Sequence, residues 1–482
     1  MTKRWIVSII ILSVLIQAWI HLPKENKAFS PIKVKSVHNT KTQSIIVTYK
    51  NVFNTFQNGQ VLSHMNAEMS TLQQHIIHKK ELLPHMEVWE LSDSTYMWDL
   101  IEALNRHPTV SFAEPDYELT LFWGSKKKKK IDNPPLPAPI DSTPFLSDPR
   151  LSEAYGLYKI QAPQSWNIYR GNPEIVVAVI DSGMDYLHED LSANVWHNPG
   201  EMGTYQNENG EVKNKEIDGI DNDGNGFIDD IIGWDFRNND AFPYDDNHHG
   251  THVAGIIGAV GENGKGSSGV IQNVSIMPLK FTSDKGSGKT SDAIKAIHYA
   301  VQNGAKIISN SWGGENFSVN LYQAVQYAQE HGVLFIAAAG NGGDDSRGDN
   351  LDKKPIYPAA FDLNNVISVA ATNSKDKLEL FSNYGPQSVD IGAPGAFILS
   401  TSPQNKYEVL SGTSMATPYV AGGAALLLSY QPKLTYQELK NLLMVSVDPL
   451  STLSGKVASQ GRLNVFKALQ SLSSPEFILT RY

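Results

Sequence analysis

The 482-residue sequence contains no cysteine. Disulfide bonds, thiolate nucleophiles and cysteine-ligated zinc are therefore excluded. The absence does not identify the compartment, because a chain of this length can bury a core that is stable without cross-links. An excess of positive charge is also absent, since 40 Lys and Arg against 50 Asp and Glu give a formal net charge of −10. This balance argues against broad affinity for nucleic acid, which requires a basic face.

One extended apolar run stands at the N-terminus, where residues 5–20 follow Lys3 and Arg4. A basic start before a short apolar segment is typical of a secretory signal. The run is slightly long for a signal core and slightly short for a membrane-spanning helix, and no A-x-A-like cleavage site follows it. We therefore expect residues 1–28 to be either a signal peptide or a signal anchor. The protein is then secreted, or associated with a membrane through this segment with the rest of the chain outside.

Residues 29–122 have the pattern of a small α+β unit. Strand-like and helical segments alternate in it: strands at 44–50, 86–92 and 110–121, helices at 67–83 and 97–107. This order predicts a ferredoxin-like layer with one strand unaccounted for.

Composition changes abruptly after residue 122. Residues 126–130 are five consecutive lysines, and four prolines follow within 134–139. Like charges repel and proline resists packing, so 123–150 is predicted to be an exposed linker. Exposed backbone is where proteases cut, which makes a processing site the preferred interpretation over a basic membrane or nucleic-acid patch.

Residues 151–472 alternate apolar runs with helical segments, and only residues 473–482 remain as a tail. The expected strands are 175–181, 275–281, 305–312, 333–340 and 366–372; the expected helices are 291–304, 319–332, the segment after Ser414, and 461–472. Continuous apolar strands alternating with helices predict an α/β fold, with a parallel sheet covered by helices on both faces.

Three side chains of this region suggest a nucleophile, a base and an orienting acid. Asp181 ends a predicted buried strand, where ligand sites of open α/β sheets gather. Ser414 precedes an apolar helix, and alone it is equally an N-cap. His248 and His252 have the spacing of a metal pair, but the Glu found inside that spacing in zincins is missing. With one of His248, His249 and His252 as the base, the order Asp, His, Ser is a known chain order for a catalytic triad.

Five segments carry a family resemblance: DSGMDYLHEDL (181–191), HGTHVAGIIG (249–258), SNSWGG (309–314), AAAGN (337–341) and GTSMATPYVAGG (412–423). They resemble, in order, the signature blocks of the subtilisin family of serine proteases. The resemblance implies a subtilisin-like catalytic domain with Asp181 orienting the base, His249 as general base and Ser414 as nucleophile. It also implies that Asn341 stabilises the oxyanion together with the backbone N–H of Ser414. The expected activity is a serine endopeptidase that acts on proteins or peptides.

The chemistry agrees with these assignments. A serine hydroxyl is barely nucleophilic near neutral pH, so an imidazole must accept its proton during attack. A buried carboxylate fixes the imidazole tautomer, and the tetrahedral oxyanion then requires hydrogen-bond donors.

The resemblance also implies a groove in which substrate backbone is added as a strand between two edges. The groove residues are Gly286, Ser287, Gly288, Ser311, Trp312 and Gly313. Glycines let an extended chain approach closely. Trp312 is expected to add an apolar wall, which favours apolar substrate side chains.

The segment DGIDNDGNGFIDD (218–230) spaces hard oxygen ligands as a calcium loop does. The candidate ligands are Asp221, Asp223 and Asn225, with Asp229 or Asp230 closing the site. Position twelve is Ile232 and not Glu, so the loop is not an EF-hand. Structural Ca²⁺ is preferred over a solvated acidic turn, and Asn263 marks a possible second site.

By the same resemblance, residues 29–122 are an inhibitory propeptide that assists folding and then occupies the groove; the alternative is an accessory domain. The chain is thus expected to be a precursor activated by cleavage. Two other hypotheses stay open: a catalytically inactive subtilase-fold binding or regulatory protein, and a calcium-dependent binding protein.

Overall fold

The computed structural model describes residues 43–50, 72–122, 147–343, 345 and 347–472. The predicted signal or anchor segment, the first part of the helix predicted for 67–83, nearly all of the Lys/Pro-rich linker and the C-terminal tail lie outside these residues. Within the described residues, no helix combines the length and apolar character needed to cross a membrane.

The N-terminal part contains a four-stranded antiparallel sheet with the order β2-β3-β1-β4 and one helix packed on it. Its elements are β1 Ser44–Tyr49, β2 Ile76–Leu83, β3 Met86–Leu91, α1 Met97–Arg106 and β4 Val110–Pro115. The helix predicted for 67–83 is wrong at 76–83, because these residues form β2 and pair with β3 through a turn at Pro84 and His85. β2 lies at the sheet edge with its backbone hydrogen-bonded to β3; Lys80 is exposed, whereas the Lys79 Nζ atom lies 3.4 Å from the centre of the Trp89 ring.

The strand predicted for 110–121 is two strands in two different sheets. β4 ends at Pro115, and β5 Glu118–Leu121 leaves the small sheet. It becomes the middle strand of a three-stranded sheet, between β11 (Ser287–Lys289) and β13 (Trp312–Gly313) of the large C-terminal region. The described residues belong to one compact unit.

The large region is built on a nine-stranded sheet with the order β19-β20-β16-β15-β14-β12-β6-β10-β9. Every neighbouring pair is parallel except β19 with β20. The elements of this region are α2 Tyr155–Lys159, α3 Ala162–Trp166, β6 Gly171–Asp181, β7 Thr204–Gln206, β8 Val212–Asn214, β9 Trp234–Asp235, α4 His249–Gly258, β10 Asn273–Lys280, β11 Ser287–Lys289, α5 Thr290–Gln302, β12 Ile307–Asn310, β13 Trp312–Gly313, α6 Val319–Glu330, β14 Leu334–Ala338, β15 Val366–Thr372, β16 Ile391–Pro394, β17 Ile398–Ser402, β18 Lys406–Leu410, α7 Thr413–Tyr430, α8 Tyr436–Val445, β19 Asp448–Pro449, β20 Gly461–Arg462 and α9 Val465–Leu472.

The predicted parallel sheet with helices on both faces is confirmed. Alternate residues of β6 enter different cores: Val177 and Val179 pack with α4 and α7, whereas Ala178 and Ile180 pack with α5 and α6. A strand buried on both faces must be apolar throughout, which is why the five expected strands were recognisable. The closing helix begins at Val465, later than predicted, because Gly461 and Arg462 pair with β19 instead.

Candidate active site

Asp181 and His249 meet at the carboxyl end of the central strands. β6 ends at Asp181, and α4 begins at His249. The His249 Nδ1 atom lies 2.7 Å from the Asp181 Oδ1 atom, and both side chains are fully buried. A carboxylate only accepts, so Nδ1 carries the hydrogen and the basic lone pair of the imidazole is on Nε2.

A second buried carboxylate, Asp245, holds this pair in place, and sequence reasoning missed it. Asp245 accepts hydrogen bonds from the Ser182 hydroxyl at 2.8 Å and from the Thr251 N–H at 2.8 Å. Ser182 Oγ in turn accepts from the Gly250 N–H at 2.9 Å. Burial raises the pKa of Asp245, against the lowering effect of these hydrogen bonds. The network joins the residue after Asp181 to the residue after His249, so the two side chains are positioned together.

Ser414 lies in the first turn of α7 and is fully buried. The N-cap of this helix is Gly412, so Ser414 does not act as the capping residue. Its hydroxyl donates to the Ser311 carbonyl at 3.0 Å, and the Ser311 hydroxyl donates back to the Ser414 carbonyl at 3.0 Å. The helices α7 and α4, which carry Ser414 and His249, pack against each other.

Asn341 follows β14 and faces the same helix start. Its Oδ1 atom accepts from the Thr413 N–H at 2.9 Å and from the Thr413 hydroxyl at 3.0 Å. Its Nδ2 atom is buried and has no hydrogen-bond partner among the described residues. The amide is thus anchored by its oxygen and directs its N–H groups away from Thr413, as an oxyanion donor requires.

The predicted groove residues lie on both sides of β5, a strand of the same chain. In β11, Ser287 is opposite Thr120 and Gly288 is opposite Leu119. In β13, Trp312 is opposite Leu121 and Gly313 is opposite Thr120. The bonding continues beyond these strands, since the Gly286 carbonyl accepts from the Leu121 N–H at 3.0 Å and the Ser311 carbonyl from the Phe122 N–H at 3.1 Å.

The Trp312 side chain occupies a different environment from the exposed apolar wall expected from the sequence. It is fully buried, its Nε1 donates to the Ile180 carbonyl at 2.8 Å, and its ring packs on Phe281. The Trp312 backbone therefore pairs with β5, and its indole packs in the core beneath.

The predicted calcium loop brings together Asp223 and Asp230 with Glu201, which sequence reasoning missed. Carboxylate oxygens of these three residues lie within 4.8 Å of one another. The Glu201 Oε2 atom is buried without a hydrogen-bond partner among the described residues. Three hard oxygen donors and an unsatisfied buried carboxylate oxygen fit a Ca²⁺ ion. Glu201 lies outside the loop motif, so no spacing rule pointed to it.

The other two predicted ligands, Asp221 and Asn225, make hydrogen bonds within the loop. Asp221 accepts backbone N–H bonds from Gly224 at 2.7 Å and Gly226 at 2.8 Å. The Asn225 amide donates to Asp223 at 3.1 Å and to Asp230 at 2.9 Å. Tyr299 also donates to Asp230, whose pKa is raised by burial.

Asn263, the residue of the possible second site, lies between two buried carboxylates. It donates to Asp190 at 2.7 Å, while Asp148 accepts the backbone N–H groups of Glu262 at 2.8 Å and Gly264 at 3.1 Å. Burial, reinforced by Asp148, raises the pKa of Asp190 to about 6.

The two histidines that flank His249 have separate partners. His248 Nδ1 lies 2.7 Å from the Glu408 carboxylate. His252 is buried, with Nε2 3.0 Å from the Ile398 carbonyl, and burial lowers its pKa to about 3. Their contacts are those of structural side chains, which agrees with the sequence argument against a zincin-type pair.

Comparison with known proteins gives a consistent picture. The model of the subtilase family matches residues 172–466. Thermitase of Thermoactinomyces vulgaris is 37% identical over 319 residues, which cover 66% of this chain and 96% of thermitase. Subtilisin-like protease 1 of Plasmodium berghei is 30% identical over 479 residues, covering 95% of this chain and 78% of the relative. The thermophilic serine proteinase of Bacillus sp. (strain AK1) is 32% identical over 370 residues, covering 77% of this chain and 75% of the relative.

Proposed function

The chain belongs to the subtilase family and is a subtilisin-like serine protease, and from this premise we propose that it is a secreted endopeptidase made as an inactive precursor. Its catalytic residues are Asp181, His249 and Ser414. The observation that carries the proposal is the buried 2.7 Å contact between His249 Nδ1 and Asp181 Oδ1. His249 lies on α4, and this helix packs against α7, which presents Ser414.

In the proposed reaction, His249 Nε2 accepts the Ser414 proton as the hydroxyl oxygen attacks a peptide carbonyl. Asp181 holds the imidazole orientation and stabilises the imidazolium that forms. The oxyanion is stabilised by the Asn341 Nδ2 and the Ser414 backbone N–H. Collapse of the tetrahedral intermediate leaves an acyl-enzyme ester at Ser414, and His249 returns the proton to the departing amine. Water then hydrolyses the ester by the same steps in reverse.

Residues 29–122 are proposed to be the pro-segment that inhibits this site and assists folding. β5 occupies the groove between β11 and β13 as a substrate strand would. The buried Glu114 accepts from the N-terminus of α6: the Ser318 hydroxyl at 2.6 Å and the Val319 N–H at 2.9 Å. Asp116 does the same at the start of α5, where it accepts the Ser291 N–H at 2.9 Å. Carboxylates at two helix N-termini bind favourably through the free N–H groups and the helix dipoles.

Three further parts complete the proposal. The apolar segment 5–20 after Lys3 and Arg4 supports export, either by a removed signal or as an anchor. Ca²⁺ is proposed as a structural ion held by Glu201, Asp223 and Asp230. Proteins or peptides are the expected substrates, the pro-segment is the intramolecular partner, and the acidic net charge argues against nucleic acid.

Hydrolysis of casein by the processed chain tests the triad. Ser414→Ala and His249→Ala should each lower the rate by at least about 10⁴-fold, the order found when single triad members are removed from subtilisin. Ser451→Ala, at an exposed serine far along the chain, is the matched control and should hydrolyse casein normally. Equal measurable rates in all variants would remove these residues from the reaction, and no hydrolysis by the unmodified chain or by any variant would favour the alternative, a subtilase fold that binds without catalysis.

A further inference from the structure

The segment that fills the groove continues by one described residue beyond β5, to Phe122. The Leu121 N–H donates to the Gly286 carbonyl on one side, and the Phe122 N–H donates to the Ser311 carbonyl on the other. These alternating hydrogen bonds fix the register of the segment in the groove, because each successive backbone N–H group bonds to a different edge strand. A shift by one residue would exchange the side chains between the two faces.

The register brings Phe122 to the proposed nucleophile. The Ser311 carbonyl oxygen accepts from the Phe122 N–H at 3.1 Å and from the Ser414 hydroxyl at 3.0 Å. The distance between two donor atoms that share one acceptor oxygen cannot exceed the sum of the two donor–acceptor distances. The backbone of Phe122 therefore lies beside the Ser414 hydroxyl.

The Phe122 ring lies over two glycines next to the oxyanion residue. A Cβ atom at Gly313 would come within 2.8 Å of the Phe122 Cζ atom, and one at Gly340 within 3.6 Å. Both glycines leave room for the tip of a six-membered ring, and Gly340 directly precedes Asn341. A side chain at either position would shorten this pocket.

The two leucines before Phe122 are also buried. Leu119 and Leu121 are 3% and 8% exposed and pack in the core cluster that contains Phe281 and Trp312, whereas Thr120 between them is exposed. A Cβ at Gly286 would lie 3.2 Å from Leu121 Cδ1, and one at Gly314 would lie 3.3 Å from Leu119 Cδ2. Glycines thus border each apolar side chain of the segment.

We propose that the chain is cut after Phe122 during its own maturation, and that the enzyme prefers an aromatic side chain immediately before the cleaved bond. This inference rests on the proposed function. Ser414 Oγ forms a bond to the Phe122 carbonyl carbon, and the bond from that carbon to the nitrogen of Trp123 breaks. The Ser414 proton passes through His249 to the Trp123 amine. Water hydrolyses the resulting ester, which leaves a Phe122 carboxylate and restores Ser414.

Expression of the full chain, followed by mass measurement of the released N-terminal fragment, tests the cleavage position. The fragment should end at Phe122, whatever later trimming removes from the new N-terminus at Trp123. Ser414→Ala should release none. Phe122→Glu should slow release by at least about tenfold, since a carboxylate would be buried in the pocket, whereas Phe122→Tyr should retain rapid release.

Quenched peptides containing Leu-Thr-Leu-Phe-Trp-Gly test the preference on the mature enzyme without altering the groove. Replacing Phe by Ala should lower kcat/KM by at least about tenfold, whereas replacing Thr by Ala should change it by less than about threefold. A fragment that ends elsewhere, or equal kcat/KM for the Phe and Ala peptides, would overturn the inference. Casein hydrolysis separates the two failures: if casein is still digested, only the cleavage assignment falls, and if it is not, the proposed function falls as well.

Discussion

At the scale of the residue, the anchored amide of Asn341 is the most informative group. Thr413 holds its oxygen through two hydrogen bonds, so the amide cannot rotate without losing both. A buried donor without a partner is costly in a folded protein unless something else uses it. In the proposed function, an oxyanion that forms only during the reaction is that partner.

Asn341→Ala should therefore lower kcat with little change in KM, because the lost donor acts on the transition state. The expected loss is about 10²–10³-fold, the range found for an equivalent donor in subtilisin, a relative in the same family. Steady-state kinetics on a short peptide substrate measure both constants. A kcat within about fivefold of the unmodified enzyme would remove Asn341 from the oxyanion site.

Sequence reasoning was effective at this scale wherever a residue belongs to a contiguous motif. Asp181, His249 and Asn341 are predicted because their neighbours form recognisable segments, and the structure pairs the first two. Glu201 and Asp245 were missed because each reaches its partners only through the fold. The Trp312 backbone pairs with β5, but no local pattern reveals that its indole turns toward Ile180.

At the scale of the element, the proposed pro-segment is hydrogen-bonded to the starts of two helices, α5 and α6. Glu114 accepts four hydrogen bonds from Ser318, Val319 and Asn320, all within α6 or its N-cap. Burial raises the pKa of this carboxyl, against the lowering effect of the same hydrogen bonds. The contact couples retention of the pro-segment to the stability of the helix start.

Glu114→Ala should release the pro-segment faster after cleavage, because the α6 N–H groups lose their acceptor while still buried. We expect activity to appear at least about tenfold faster on dilution of the processed complex. Glu90→Ala, at an exposed position of β3, is the matched control. Identical rates for both variants would show that the helix-start contact does not retain the segment.

The helix α5 contains a histidine that should make stability depend on pH. Burial, aided by nearby His331, lowers the pKa of His298 to about 4, and its ring stacks on Tyr327. The unfolded chain binds this proton near pH 6.5. The folded state therefore loses stability as the pH falls below about 6.5, with the loss complete only below about pH 4.

His298→Phe keeps a stacking ring and removes the titration. In a Ser414→Ala background, which prevents self-digestion, the variant should lose about 2 kcal/mol less unfolding free energy than its parent between pH 7.5 and pH 5. Urea unfolding at the two pH values measures this difference. Parallel pH dependence in parent and variant would contradict a lowered pKa of His298 in the folded state.

The elements themselves were predictable where burial is uniform. Strands buried on both faces give continuous apolar runs, so the parallel sheet was evident from the sequence. β2 was misassigned because its apolar residues also fit helical spacing and its edge position leaves charged side chains exposed. β5 was merged with β4 because the change of sheet after Pro115 depends on a groove formed more than 160 residues later along the chain.

At the scale of the whole molecule, the acidic cluster joins the loop region before α4 to helix α5. Glu201 and Asp223 belong to the loop region between β6 and α4, while Asp230 is bonded to Tyr299 of α5. An ion bound here would stabilise the folded state alone, because the three carboxylates converge only after folding.

Removal of calcium should accordingly lower the Tm of the mature protein. At a calcium concentration about 100 times Kd the ion contributes about 2.7 kcal/mol, a shift on the order of 5 °C for a domain of this size. Asp230→Asn should reduce the calcium-dependent shift, whereas Asp229→Asn, beside the cluster, should preserve it. Equal shifts in both variants, measured by calorimetry with and without a chelator, would exclude this cluster as the site.

The proposed function requires an activated serine, Ser414, beside the groove in which β5 lies. Reaction of the processed protein with a fluorophosphonate, followed by peptide mass spectrometry, tests this claim most directly. The account predicts one stoichiometric adduct on Ser414, abolished in His249→Ala and reduced when the pro-segment remains bound. Absence of an adduct, or an adduct on another serine with Ser414 unmodified, would contradict it.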